Sequence, residues 1–168
     1  MLGDTEQKIE ELANMMERTK GYQIPRCIHQ ICDLPYKTFA DLRNDLKNGD
    51  AHMQRYSYVL DSEVFNGCAT RMERIRFTLY PILTLAVPVT AVVLGFTISW
   101  WFLLATLSFF QFLPATRILY QKVILRAAHQ SEPIFCFLFH IGEVCICTAD
   151  DSIRYYTTPD STSVYSAK

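Results

Sequence analysis

From Phe77 to Leu113 the chain carries no charged residue, an unbroken run of 37. The 76 residues before it hold 11 Lys/Arg and 12 Asp/Glu, so charge is excluded from one stretch and is not scarce in general. Core helices of water-soluble domains use shorter apolar stretches, and the run therefore predicts a membrane protein. As one straight helix it would measure about 55 Å at about 1.5 Å per residue, nearly twice a hydrocarbon core of about 30 Å. A single perpendicular crossing is excluded. Two geometries stay open: a hairpin folded near Gly95 with arms of roughly 18 residues, or a path embedded in one leaflet that never crosses. The turn available to a hairpin, Leu94-Gly95-Phe96-Thr97, offers one Gly and no Pro, Asn or Asp, which is weak turn chemistry. Trp100 and Trp101, residues that favour interfaces, would also fall inside the second arm.

The flanks of the run are basic. Arg71, Arg74, Arg76, Arg117, Lys122 and Arg126 face a single acid, Glu73. Both flanks are expected on the cytoplasmic side, where these six residues are candidate contacts for anionic headgroups. A net charge of −1 argues against a nucleic-acid partner, which would require a basic field to neutralise phosphates. The start, Gly3-Asp4-Thr5-Glu6-Gln7-Lys8, lacks the apolar core of a secretory leader, so the polar parts are expected in the cytoplasm. Six irregularly spaced cysteines then read as free thiols.

Periodicity divides the chain into six segments. Residues 1–50 form amphipathic helices, the first with Ile9, Leu12, Ala13 and Met16 in a stripe before Gly21. The second carries Phe39, Leu42 and Leu46 before Asn48-Gly49. Their narrow stripes suit peripheral docking. Residues 51–76 are a pre-membrane segment in which Asp61 or Ser62 caps a helix with Val64, Cys68, Met72, Ile75 and Leu79 on one face. Residues 77–113 are embedded. Residues 114–142 contain the stripe Tyr120, Val123, Ile124 and Ala127, the pattern of a helix lying in an interface. Residues 143–148 form a β-branched strand, and 149–168 a polar tail, disordered unless Ile153 to Thr157 pairs back through Asp150-Asp151.

Chemistry is sparse. His52, His129 and His140 have no Ser or Asp at a recognisable catalytic spacing, and no nucleophile elbow or phosphate loop is present, so no enzyme is expected. Cys27, His29 and Cys32, with Cys145 and Cys147, match no tight zinc knuckle, and the thiols read as small buried residues. No cofactor or metal is predicted.

Several stretches, taken in order, resemble the caveolin family. Ala105-Thr106-Leu107-Ser108 followed by aromatics is similar to the Ala-x-Leu-Ser-aromatic centre of the caveolin membrane domain. Leu85-Ala86-Val87-Pro88 with Gly95 resembles its apolar-Pro segment, and Pro114 the proline that ends it. Glu132-Pro133-Ile134-Phe135 through Gly142-Glu143-Val144 is similar to the stretch before the final caveolin strand. His52 and Val64-Phe65-Asn66-Gly67 resemble the family's histidine and Ser-Phe-Asp-Gly. The resemblance covers residues 48 to 148.

It implies a mainly α, monotopic membrane protein with in-plane amphipathic helices and a short C-terminal β-strand, assembling into a disc around a central parallel β-barrel. The membrane-embedded residues would be Leu83, Leu85, Val87, Val92, Val93, Phe96, Trp100, Phe102, Leu103, Phe109, Phe110 and Phe112, with bends at Pro88 and Pro114. Glu143, Val144, Cys145, Ile146, Cys147 and Thr148 would form the oligomerisation strand. The implied function is a scaffold that shapes membrane at the plasma membrane, in caveolae, or at the Golgi. Its partners would be copies of itself, membrane lipids including cholesterol, and coat proteins. Cys136, Cys145 and Cys147 are candidates for palmitoylation, although the caveolin cysteine positions hold Ala115 and Ser131 here. The alternative from a different class is a two-span hairpin protein, a pore-forming effector or inclusion-membrane type, with a helical cytoplasmic domain.

Overall fold

The structure is a computed structural model that describes residues 2–21, 23–31, 34–57, 60–97, 109–157 and 165–167. Among these the chain is mainly helical with one small sheet. It divides into two compact units: residues 1–68 with 123–168, and residues 69–122.

In the first unit, α1 (Leu2–Lys20) buries Ile9 and Ala13 and ends at Gly21, whose φ is +71. A short 3-10 turn, Ile28–Gln30, follows. Next, α2 (Phe39–Asn48) opens on a reciprocal cap in which the Asp41 amide donates to Thr38 Oγ1 and the Thr38 amide to the Asp41 carboxylate. It closes on Gly49 at φ +84. A Cβ there would meet no atom within 4 Å. Gly49→Ala should therefore cost about 1 kcal/mol of stability through backbone conformation alone, which a denaturant titration would register as a lower midpoint at unchanged slope.

The sheet has the order β1-β2-β3-β4, antiparallel throughout, from β1 (Ala51–Arg55), β2 (Val144–Thr148), β3 (Arg154–Tyr156) and β4 (Tyr165–Ala167). Ala51 faces Thr148 and Arg55 faces Val144, so the two longest strands pair along their whole length. The segment 51–76 thus supplies a strand, then α3 (Ser62–Cys68), then the start of the next helix. The polar tail supplies β3 and β4, and the Asp150-Asp151 turn does pair the chain back. The strand expected at the C-terminal end is present. Both of its edges are taken by strands of the same chain, so a shared barrel through β2 would require β1 or β3 to leave it.

The expected single helix over 114–142 is two helices. α5 (Phe109–Gln130) ends before Ser131, and α6 (Glu132–His140) begins with Pro133 in its first turn, where the missing amide has no helical acceptor to lose. Ser131 is tied down by a hydrogen bond to Glu6, and Glu132 accepts from the Ile28 amide. Every residue of α6 from Ile134 to His140 is buried, as its all-round apolarity demands. Phe135 lies between Phe39 and Phe139 at centroid distances of 5.8 and 5.6 Å. The stripe Val123, Ile124 and Ala127 that reads as an interfacial face is instead fully covered in this core, together with Leu42, Phe65 and Ile146. Nor are the first 50 residues peripheral: α1 packs on α3 and α6, and α2 on β1.

The second unit consists, among the described residues, of α4 (Arg71–Thr97) and the first part of α5. α4 starts with a capping box in which Glu73 accepts from the Thr70 amide and hydroxyl while its own amide donates to Thr70 Oγ1. This break at Ala69-Thr70 splits the apolar face read across it. Val64 and Cys68 are buried in one unit, whereas Met72, Ile75 and Leu79 are exposed in the other. Pro81 and Pro88 lie inside α4 and Pro114 inside α5, so none of them ends an element.

Candidate membrane-facing surface and buried polar groups

α4 is long, apolar and uncovered. In its most apolar window only 11% of the residues are buried. Leu85 is 68% exposed and Phe96 84%, and Ile82, Val89, Val92 and Val93 are exposed too, an arrangement water would penalise heavily. Leu83 and Val87 are half-buried. The buried positions, Thr84 and Ala91, are seven apart, with Gly95 half-buried a turn further on. Small residues at such spacing let another helix approach closely. The polar atoms of the helix are suited to lipid as well. Thr78, Thr84 and Thr97 donate to the carbonyls of Arg74, Tyr80 and Val93 at 3.1, 2.7 and 2.8 Å, so these hydroxyls are satisfied within the helix.

At the polar end of α4, Arg71 and Arg76 are exposed and Arg74 donates from Nε to the Ala69 carbonyl at 3.1 Å. On α5, Arg117 and Lys122 are exposed, and so is Arg126 further along. Within the second unit the ring of Phe77 meets that of Tyr120, centroids 6.1 Å apart and inclined by 46°. The first residue of the uncharged run is thereby brought beside one that lies seven positions past its last. Trp100, Phe102 and Leu103 lie outside the described residues, as do the side chains of Phe109, Phe110 and Phe112.

The first unit holds a different kind of chemistry. Arg55 Nε lies 3.1 Å from Glu143 Oε2, with 9% and 6% of the two side chains exposed. The Tyr56 amide donates to the Glu143 carbonyl at 3.0 Å, which fixes Glu143 against the end of β1. Burial raises the Glu143 carboxyl above its ordinary range, and the bond and charge of Arg55 only partly oppose this. Thr157 donates its hydroxyl to the Phe139 and His140 carbonyls and closes the end of α6. Beside it an open cleft of about 670 Å³ is lined by Glu17, Arg26, Phe139 and His140 among others. Burial lowers the His140 pKa.

The candidate palmitoylation sites are all interior. Cys136, Cys145 and Cys147 are 0 to 2% exposed. Burial pushes the Cys145 thiol up to about 12 and raises Cys136 as well. A buried protonated thiol is a poor nucleophile, so acylation at any of the three requires this part of the core to open. Cys68, also buried, is likewise pushed up to about 12. Cys147 does meet two other polar side chains, His52 across the sheet and Asp151 in the following turn, a grouping that the spacing of cysteines and histidines in the sequence does not reveal.

Comparison with family models, curated proteins and solved structures returns no match. The resemblance to caveolins therefore rests on the order of the residue motifs alone.

Proposed function

We propose that this chain is a membrane-anchored protein. Its uncharged run enters the bilayer as a two-span hairpin from the cytoplasmic side, and its α/β unit acts at that surface as a binding and assembly module. The observation that carries the reading is the uncovered apolar helix α4 together with the Phe77–Tyr120 contact. From Phe77 to Thr97 are 21 residues, about 31 Å of helix at about 1.5 Å per residue, matching a hydrocarbon core of about 30 Å. The contact of Phe77 with Tyr120 returns the chain to its starting level. Arg71, Arg74 and Arg76 then share one end of the hairpin with Arg117 and Lys122, and a surplus of positive charge at one end sets the cytoplasmic side. The action proposed is anchoring and recognition, with no reaction assigned.

The test is labelling of Gly95→Cys in sealed membranes with an impermeant maleimide, using the unsubstituted chain as the background. Modification from the face opposite the basic flanks is the expected result. Protection from that face, with a large uniform oligomer in detergent, would replace the hairpin by the flat caveolin-like disc.

A further inference from the structure

We propose that His52, Cys147 and Asp151 form a binding site for a zinc-class divalent cation in the α/β unit, independent of how the apolar run meets the membrane. His52 and Cys147 are direct partners across the β1–β2 ladder and so present side chains to the same face. Asp151 follows in the turn between β2 and β3. Its amide donates to the Thr148 carbonyl at 2.9 Å, while Asp150 Oδ1 accepts from the Thr148 hydroxyl at 2.7 Å and the Ser152 amide at 3.2 Å. The turn holds Asp151 at φ +56, a left-handed conformation that Asp tolerates, and aims its carboxylate back over the sheet. The imidazole, thiol and carboxylate donor atoms all fall within 4.8 Å of one another.

The donor set selects the metal. One nitrogen, one sulfur and one oxygen suit zinc or a similar borderline ion, whereas calcium and magnesium take oxygen only. Zinc holds such ligands at about 2.0 to 2.3 Å, which in a tetrahedron separates the donors by roughly 3.3 to 3.8 Å. His52 Nε2 and Asp151 Oδ1 are 3.1 Å apart, a little closer than such an edge. The remaining edges need rotations of the His52 and Asp151 side chains, which are 37% and 53% exposed, and His52 Nε2, which also lies 2.7 Å from Gln54 Nε2, exchanges that contact for the metal. Charge also balances: a thiolate and a carboxylate neutralise a divalent ion, and the thiol proton leaves to solvent on binding. Three protein ligands leave the fourth position to a water or to Cys145 Sγ, two residues away on the same face of β2.

The full-length protein in detergent, stripped with chelator and titrated with zinc, should take up one ion per chain. With cobalt it should develop the intense visible bands of a tetrahedral ion and a thiolate-to-metal charge-transfer band in the near ultraviolet. Cys147→Ser should abolish the charge-transfer band. Because Cys147 is buried and its variant could misfold, the exposed-side ligands carry the decision. His52→Gln and Asp151→Asn should each weaken zinc binding at least about tenfold, no less than the loss of an outer-shell partner, with unchanged circular dichroism. Equal zinc affinity in the unsubstituted chain and both variants, or a cobalt spectrum without a thiolate band, would overturn the assignment and leave His52 and Asp151 an ordinary surface ion pair.

Discussion

Arg55→Met is expected to destabilise the α/β unit by about 3 to 5 kcal/mol near neutral pH, because removing one member of a buried ion pair strands the other. The pair is 3.1 Å apart and nearly closed to solvent. What the variant strands is the Glu143 carboxylate, whose pKa burial already raises against the opposition of Arg55 and of a hydrogen bond from Ser57. Without Arg55 that pKa rises further. The sign of the pH dependence follows. With its folded pKa above its unfolded value, Glu143 binds more protons in the folded state, so the variant is least compromised below the unfolded pKa. It then loses stability as pH rises through the folded one. The gap between variant and parent should accordingly widen from acid toward neutral pH in denaturation series. Arg55→Met combined with Glu143→Leu should recover most of the loss, since an apolar pair of similar volume avoids the desolvation cost. A gap below about 1 kcal/mol at neutral pH, or one that ignores pH, would show that the pair is solvated in solution.

The second large effect concerns insertion. Leu85→Arg with Val92→Arg places two guanidinium groups seven residues apart on the exposed side of α4, near the middle of its apolar length. Each costs about 2.5 to 3.5 kcal/mol at the centre of a spanning helix, so the pair opposes insertion by about 6 kcal/mol. The doubly substituted protein should move from the carbonate-resistant membrane fraction into the soluble or aggregated fraction. Ile118→Arg, which adds one more cation beside Arg117, should leave fractionation unchanged. Retention of the double variant in washed membranes would mean that α4 does not meet lipid along this face. The unsubstituted chain staying soluble would have the same meaning.

Local signals were readable from the sequence where a residue acts on its own neighbourhood. Gly21 and Gly49 stop helices through a left-handed backbone, and Asp61 opens α3 by accepting from the Glu63 and Val64 amides. The stripe of α5 is legible as a stripe and its surroundings are not, because periodicity states that a face is apolar and not what covers it. Val123, Ile124 and Ala127 look identical in the sequence whether lipid or protein covers them, and here they are buried. Strand β1, Ala-His-Met-Gln-Arg, carries no strand signal of its own because its apolar members are weak strand formers and its pairing is with β2, far away in the chain. The polar grouping around Cys147 was illegible for the same reason: it exists only once β1, β2 and the turn after β2 are brought into register.

That register also dictates an order of assembly. β1 and β2 enclose the whole uncharged run between them, and Arg55 meets Glu143 across 88 residues. On a ribosome β1 emerges early, but α6, which carries Phe135, and the partner strand β2 come only after the uncharged run. The amino-terminal strand therefore stays unpaired until the uncharged run has been made. A formed hairpin helps the late event, because holding Phe77 against Tyr120 roughly halves the length of free chain to be closed and removes about 0.6 kcal/mol of ordering cost. If the run inserts as proposed, the bilayer becomes a template for the rest of the chain, and a chain cut short before Val144 lacks the strand that pairs with β1.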